Sequence, residues 1–304
     1  MKIVTSGNRY IDIDAYAGCI AYASMLKMKN IEAKAVSTAK INESVTPSLL
    51  KSNFKLEKYE KHENDEFIII DVSNKKYFDD IVNENKIVEI IDHHAGFEDY
   101  WKNKLGEKAN IEFIGAVATL IVESYEKEKL IEKIPKDIAY LLMAAILDNT
   151  LNFKANVTTD RDIIAYNKLQ KIVGDGKAYA EKYFSECQLC IEKNLEVAIE
   201  NDTKIENINS LLPKVFGQLA IWNKESILDN KKLIYDTLYN IGKEWMMNLI
   251  CLKEEKSYII TPDIEVQKKL EKLLDGKFKN DIMELDKVWL RKEIIKKAMN
   301  STKS

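Results

Sequence analysis

Short runs rich in isoleucine and valine alternate with helix-patterned stretches through the first half of the chain. The runs are Lys2–Thr5, Ala33–Ser37, Phe67–Val72 and Ile87–Ile91. Between the first two lies Ala15–Lys29, whose small and apolar residues recur at helical spacing. Strands that alternate with helices predict an α/β fold, with a parallel sheet that carries helices on both faces.

The second half of the chain has a different pattern. From Gly115 to about Leu195 it is helical, with a break at Gly174-Asp175-Gly176. A second compositional unit begins near Asn201. Its strand-like runs are Val215–Trp222, Trp245–Leu252 and Tyr258–Thr261, and it ends in a lysine-rich, helix-like tail after Leu285. The predicted domains are residues 1–190 and 195–304.

Length and charge exclude several classes of protein. With 304 residues the chain is long for one hydrophobic core and sufficient for two lobes. A net charge of −3 gives no general attraction to nucleic acid. No apolar stretch is long enough to cross a membrane, and the N-terminus lacks the pattern of a signal peptide. We therefore expect a cytoplasmic enzyme without a nucleic-acid or membrane partner.

Acidic residues stand where apolar elements end. They are Asp12 and Asp14 after the first run, Asp71 in the third, Asp92-His93-His94 after the fourth, and Asp148 after the helical run Leu141–Leu147. A charge at such a position is costly unless it is paired or bound to a metal. In parallel sheets, ligands bind at the carboxyl ends of the strands. Carboxylates with one or two imidazoles are a ligand set for two divalent cations such as Mg, Mn or Co.

Each of these residues also has a purely structural explanation. An Asp after a strand commonly caps a helix or forms a turn, and two adjacent histidines can be a chance surface pair. Four such events at consecutive element ends favour the metal interpretation. Two cations can lower the pKa of a shared water and direct it at phosphorus.

At this point the chain resembles a known family. The segment Asp12-Ile13-Asp14-Ala15, a lone Asp71 and then Asp92-His93-His94 resemble the signature of DHH phosphoesterases. Further on, Asp202-Thr203-Lys204, Val215-Phe216-Gly217-Gln218 and Arg291-Lys292 resemble the C-terminal domain of one branch. That branch holds family II (manganese-dependent) inorganic pyrophosphatases, exopolyphosphatases and prune-like proteins. The resemblance implies a parallel-sheet DHH domain followed by a smaller C-terminal α/β domain.

The resemblance also implies roles for individual residues. Asp12 and Asp71 would bind one cation, with Asn8 at the same site, while Asp14, Asp71, His93 and Asp148 would bind the second. Asp14, Asp71 and His94 would be catalytic, and Asp92 would hold an imidazole in its ligating tautomer. Lys204, Arg291, Lys292 and His94 would contact the phosphate-containing substrate. The expected cofactors are two divalent cations, Mn or Mg with Co as a further option, and a homodimer is compatible with the family.

Three positions depart from the family pattern. Asn8 stands where pyrophosphatases place a histidine, and its harder amide oxygen should favour Mg over Mn or Co. The family's acidic ligand near residue 148 aligns with either Asp148 or Asn149, and we choose Asp148 because an anionic ligand is needed. Leu290 replaces the usual serine before the Arg-Lys pair.

Three functions remain open at this level. The favoured one is hydrolysis of pyrophosphate or short polyphosphate, and Asn8 favours the exopolyphosphatase side. The second is a phosphodiesterase acting on small nucleotides or short oligonucleotides, although the Gly-Gly-Gly-His element of such members is absent. The third is a weakly active homologue with a binding role.

Overall fold

The structure, a computed structural model, describes residues 1–174, 178–205, 207 and 210–301. It separates into two units, Met1–Ala180 and Glu181–Ser304. Across these described residues, no helix combines the length and the apolar character that a membrane span requires.

The first unit alternates strands with helices, as predicted. Its strands are β1 (Lys2–Thr5), β2 (Tyr10–Ile11), β3 (Ala33–Ala35), β4 (Lys40–Ile41), β5 (Glu66–Ile70), β6 (Ile87–Asp92) and β7 (Ala109–Ile111). Its helices are α1 (Ile13–Met28), α2 (Glu98–Leu105), α3 (Val117–Lys127), α4 (Lys136–Asn149) and α5 (Asp160–Val173). The main sheet has the order β3-β1-β5-β6-β7 with all neighbours parallel, and β2 pairs with β4.

Both faces of this sheet are covered by helices. Ile3, Phe67 and Ile69 point to one face and pack in a cluster with Trp101 of α2. On the opposite face α1 approaches the sheet closely at Gly18, where an added Cβ would lie 2.7 Å from the Ile70 side chain. The predicted parallel sheet with helices on both faces is therefore confirmed.

Helix α1 positions the first acidic motif. Asp12 caps the helix by accepting a hydrogen bond from the Ala15 amide at 3.0 Å. Every residue from Ile13 to Leu26 is buried, because the helix lies between the sheet and helices α3 and α4. The N-terminal end of α1 therefore lies at the carboxyl end of β1.

The second unit contains a mixed six-stranded sheet. Helix α6 (Ala178–Lys193) spans the division between the units, and the elements that follow are α7 (Leu195–Asn201), β8 (Thr203–Ile205), β9 (Val215–Ile221), α8 (Glu225–Asp229), α9 (Lys231–Ile241), β10 (Trp245–Cys251), β11 (Lys256–Ile260), α10 (Ile264–Leu274), β12 (Phe278–Lys279), β13 (Ile282–Leu285) and α11 (Arg291–Ser301). The strand order is β12-β13-β11-β10-β9-β8, and only β9 and β10 are parallel.

This sheet also has helices on both faces, since two separate apolar clusters lie on its two sides. One contains Leu219 and Leu249 with Leu238 of α9, and the other contains Met246 with Leu270 of α10. The smaller C-terminal α/β domain is thus confirmed. Strands β8, β12 and β13 were not predicted, because two to four residues are too few to show a period. Of the predicted break, Gly174 ends α5 with φ 71°, whereas Asp175 and Gly176 lie outside the described residues.

Candidate metal centre

Three ligand-type side chains converge at the carboxyl end of the first sheet. Asp71 follows β5, and His93 and His94 follow the neighbouring strand β6. One ligand atom from each residue lies within 4.8 Å of the other two. Because β5 and β6 are adjacent and parallel, their ends deliver these side chains to one place.

Asp71 has a carboxyl oxygen that receives no hydrogen bond from the protein. Its backbone has φ +63°, a left-handed conformation that aspartate tolerates better than most residues. Its side chain is 7% exposed, and its Oδ1 atom receives no hydrogen bond. Burial raises the pKa of Asp71 well above its usual value, and the neighbouring charge of Asp12 raises it further. The protein alone therefore disfavours the ionised form of this carboxyl group.

His93 presents its Nε2 atom to Asp71. Its Nδ1 atom lies 3.0 Å from the carbonyl oxygen of Ile114, which can only accept, so Nδ1 is the donor in this contact. The Nε2 atom then lies 3.2 Å from Asp71 Oδ1. An imidazole nitrogen and a carboxylate oxygen at this distance are both ligand atoms that a divalent cation would attract. The residues present therefore fit a metal site.

Asp92 orients the second imidazole. Its Oδ1 atom accepts hydrogen bonds from the His93 amide at 2.8 Å, the His94 amide at 3.2 Å and His94 Nδ1 at 2.8 Å. Burial raises the pKa of Asp92, but the hydrogen bond and charge of His94, together with Ser73 and His93, lower it by more, so the pKa lies below its usual value. The His94 side chain is 62% exposed. Asp92 thus holds the exposed ring, while the backbone of Ile114 holds His93.

Asp14 is a fully buried carboxylate in the first turn of α1. Its two oxygens accept hydrogen bonds from the Val117 and Ala118 amides, both at 2.8 Å. Burial raises the pKa of Asp14 well above its usual value, and the charge of Asp71 adds to the effect. Asp14 therefore caps α3 and lies within electrostatic reach of the Asp71–His93–His94 trio.

The remaining predicted ligands of the first unit lie outside this tight trio. Asp12 uses Oδ1 to cap α1. Asn8, in the loop after β1, donates from Nδ2 to Asp80 Oδ1 at 3.4 Å, which leaves its own Oδ1 as the ligand-type atom. Asp148 is half-buried in the last turn of α4, a helix that packs against α1.

Comparison with known proteins gives the family. Residues 2–146 match the DHH family, N-terminal domain. The first unit carries a DHH-family domain. The resemblance predicted from the Asp12–Asp14, Asp71 and Asp92–His94 motifs is therefore confirmed.

The DHH-family chain is similar to a group of bacterial proteins. It is 28% identical over 237 residues to the manganese-dependent inorganic pyrophosphatase of Bacillus subtilis, covering 76% of this chain and 74% of that one. It is 25% identical over 302 residues to a Lactobacillus johnsonii protein named as a probable enzyme of the same kind, covering 96% of each. A Bacillus licheniformis protein with that name is 32% identical over 184 residues, which is 59% of this chain and only 58% of that protein.

A solved structure supports the same fold. A Methanococcus jannaschii protein assigned to the family II inorganic pyrophosphatases superposes with a TM-score of 0.66 at 23% identity. The superposition covers 99% of this chain and all of that one. The fold predicted for the DHH-family chain is therefore found along its whole length.

The second unit carries the residues that were predicted to bind phosphate. Lys204 on β8 and Lys292 on α11 are exposed. Arg291 is buried, and its guanidinium donates to the carbonyl oxygens of Asp202 and Phe216 and to Asp202 Oδ1. Its backbone amide donates to Gln218 Oε1 at 2.6 Å. These four bonds hold Arg291 within its own unit.

Sequence reasoning missed two residues that shape the site. Ile114 orients His93 through a carbonyl oxygen, and a backbone contact leaves no sequence signal. Asp162 is a fully buried carboxylate that accepts from backbone amides before α3. The only available signal was the capping box that it forms with Thr159, which marks the start of α5 but does not show that the carboxylate reaches α3.

Proposed function

We propose that this DHH-family protein hydrolyses a phosphoanhydride bond in pyrophosphate or a short inorganic polyphosphate, with bound divalent cations. The observation that carries the proposal is the approach of His93 Nε2 to the donor-free Asp71 Oδ1 at 3.2 Å. A divalent cation fits between these two ligand atoms, and the similar proteins are named manganese-dependent inorganic pyrophosphatases.

Two cations, Mn or Mg, are the proposed cofactors. Asp71 is the proposed shared ligand, with Asn8 and Asp12 on one side of it and Asp14, His93 and Asp148 on the other. When bound, such a pair would neutralise phosphate oxygens and lower the pKa of a water molecule. Asp71 would then be ionised, because the cations remove the penalty that burial imposes on it.

His94 is the proposed substrate-facing group. Asp92 accepts a hydrogen bond from His94 Nδ1 and so orients the ring, and the exposed His94 side chain leaves Nε2 for a substrate oxygen. The proposed phosphate ligands are the cationic side chains of Lys204, Arg291 and Lys292. Of these, the two exposed lysines have the freer donors, since Arg291 is held by Asp202, Phe216 and Gln218.

The decisive experiment measures phosphate release from pyrophosphate, tripolyphosphate, long polyphosphate and a dinucleotide, each with Mg, Mn and Co. We expect release from the inorganic substrates, and their relative rates would distinguish a pyrophosphatase from an exopolyphosphatase. Asp71→Asn is the control for contaminating activity. Cleavage of the dinucleotide alone would replace the proposal with the phosphodiesterase alternative, and no turnover with any cation would favour a binding role.

A further inference from the structure

Five consecutive residues, Ile114–Ala118, connect two of the proposed ligands. The first, Ile114, accepts a hydrogen bond from His93 Nδ1 at 3.0 Å. The last two, Val117 and Ala118, donate to the two oxygens of Asp14, both at 2.8 Å. The position of this short segment therefore sets both the ring of His93 and the carboxylate of Asp14.

The middle of the segment is held by Asp162. The Gly115 amide donates to Asp162 Oδ2 at 3.1 Å and the Ala116 amide donates to Oδ1 at 3.3 Å. At the start of α5, the amide and hydroxyl of Thr159 donate to Oδ2, both at 2.8 Å. From α3, the Thr119 hydroxyl donates to Oδ1 at 2.6 Å. Five donors thus converge on one fully buried carboxylate.

We infer that Asp162 is a positioning residue of the metal centre, acting through Ile114–Ala118 on His93 and Asp14. This inference rests on the proposed function for the identity of the ligands. The carboxylate makes its contacts with backbone and hydroxyl groups, and it holds the segment against the start of α5. Its effect on a bound cation is therefore indirect, through the orientation of two ligands.

The chemistry of the contact requires a carboxylate. Three of the partners are backbone amides, which can only donate, and they contact both oxygens, so an amide side chain would place its NH2 group against at least one N–H. Helix α3 has no side-chain cap at its own N-cap residue, Ala116. The side chains of Asp14 and Asp162 together accept hydrogen bonds from the first amides of this helix and from the two amides before it.

Gly115 provides an independent way to disturb the same contact. A Cβ added at Gly115 would lie 2.7 Å from Asp162 Oδ2 and 2.7 Å from Thr150 Cγ2. Gly115→Ala therefore pushes the segment away from Asp162 without removing the carboxylate. Thr159→Ala is the matched control, because it removes one hydrogen bond to Asp162 on the α5 side and leaves both segment amides bound.

The test measures Mn²⁺ affinity of the full chain by calorimetry and by electron paramagnetic resonance of free Mn²⁺. We expect Asp162→Asn and Gly115→Ala to weaken the binding about tenfold. Thr159→Ala should bind Mn²⁺ with an affinity within about twofold of the parent's. Its melting temperature should fall by an amount comparable to that of the two other variants, since losing an N-cap hydroxyl costs about 1 kcal/mol. If both variants bind Mn²⁺ as the parent does, Asp162 only stabilises the fold.

A second readout does not depend on a metal. The chain has three histidines, so the ring nitrogen resonances of His93 can be assigned with one His93→Gln variant. In metal-free Asp162→Asn and Gly115→Ala protein we expect the His93 resonances to move away from the Nδ1-protonated form, and in Thr159→Ala to stay. Unchanged resonances in both variants would overturn the inference. A parent chain that binds Mn²⁺ but hydrolyses no phosphoanhydride would instead refute the proposed function alone.

Discussion

Two buried ionic groups, one in each unit, have opposite surroundings. In the second unit the guanidinium and amide of Arg291 make four hydrogen bonds, including an ion pair with Asp202 at 2.5 Å. In the first unit the Oδ1 atom of Asp71 is buried, receives no hydrogen bond, and lies 3.2 Å from His93 Nε2. One group is satisfied by the protein, and the other is not.

The difference separates structural charges from ligand-binding ones. Buried polar groups in folded proteins are normally hydrogen-bonded, because an unpaired one costs the full desolvation penalty. A charge such as Arg291, which its own unit holds with four hydrogen bonds, stabilises that unit. A buried carboxylate oxygen without a hydrogen bond, such as Asp71 Oδ1, is retained at a cost, which favours a partner that the chain does not supply.

The largest effect is expected from Asp71→Asn, which keeps the shape and tolerates the φ of +63°. Hydrolysis should fall on the order of a thousandfold or more, since a shared cation ligand is lost. The pKa of Asp71 is raised in the folded state, so its ionisation at neutral pH favours unfolding. The metal-free variant should therefore melt no lower than the parent, and Mn²⁺ should no longer raise its melting temperature.

Asp79→Asn is the matched control for this prediction. Asp79 is buried in the same unit but accepts hydrogen bonds from Ser37, Thr38 and Ile81. Asp79→Asn should have a lower melting temperature than the parent, whereas the melting temperature of metal-free Asp71→Asn should not fall. If both variants lose stability equally, the contrast between satisfied and unsatisfied carboxylates is wrong.

An intermediate effect is expected at Arg291. Arg291→Met should lower the free energy of unfolding of the second unit by about 2–3 kcal/mol, because Asp202 and two carbonyl oxygens lose their donor. Lys292→Met, one residue away and exposed, should change it by less than about 0.5 kcal/mol. Denaturant titration measures both. If Arg291→Met is as stable as the parent, Arg291 does not stabilise its unit, and only its proposed role in substrate binding is left.

The smallest effect is expected from Asn8→His, which restores the nitrogen ligand of the pyrophosphatase pattern. Imidazole prefers Mn or Co to Mg more than an amide oxygen does, so the ratio of Mn to Mg affinity should rise about tenfold. Competition titrations of the two cations measure this ratio. Asp80→Ala, which removes the acceptor of the Asn8 amide but leaves its oxygen, is the control. An unchanged ratio in Asn8→His would place residue 8 outside the cation site.

Much of the fold could be predicted because its signals are local. The runs that became β1, β5, β6, β9 and β10 were located to within a residue or two, since apolar strands buried on both faces are recognisable at that length. Strands β12 and β13 were missed, because their short, polar runs gain their pairing from neighbours that the sequence does not reveal.

The sequence by itself determined that Asp71 and His93 would lie at one edge of the sheet. Each stands at the end of a predicted parallel strand, and parallel strands present their carboxyl ends at one edge of a sheet. The tertiary structure decided what each buried carboxylate does there. Asp14 finds its amide partners 103 and 104 residues away, Asp162 finds its own 46 and 47 residues away, and Asp71 Oδ1 finds none. Such partners are set by how distant segments pack, and local residue patterns carry no record of that packing.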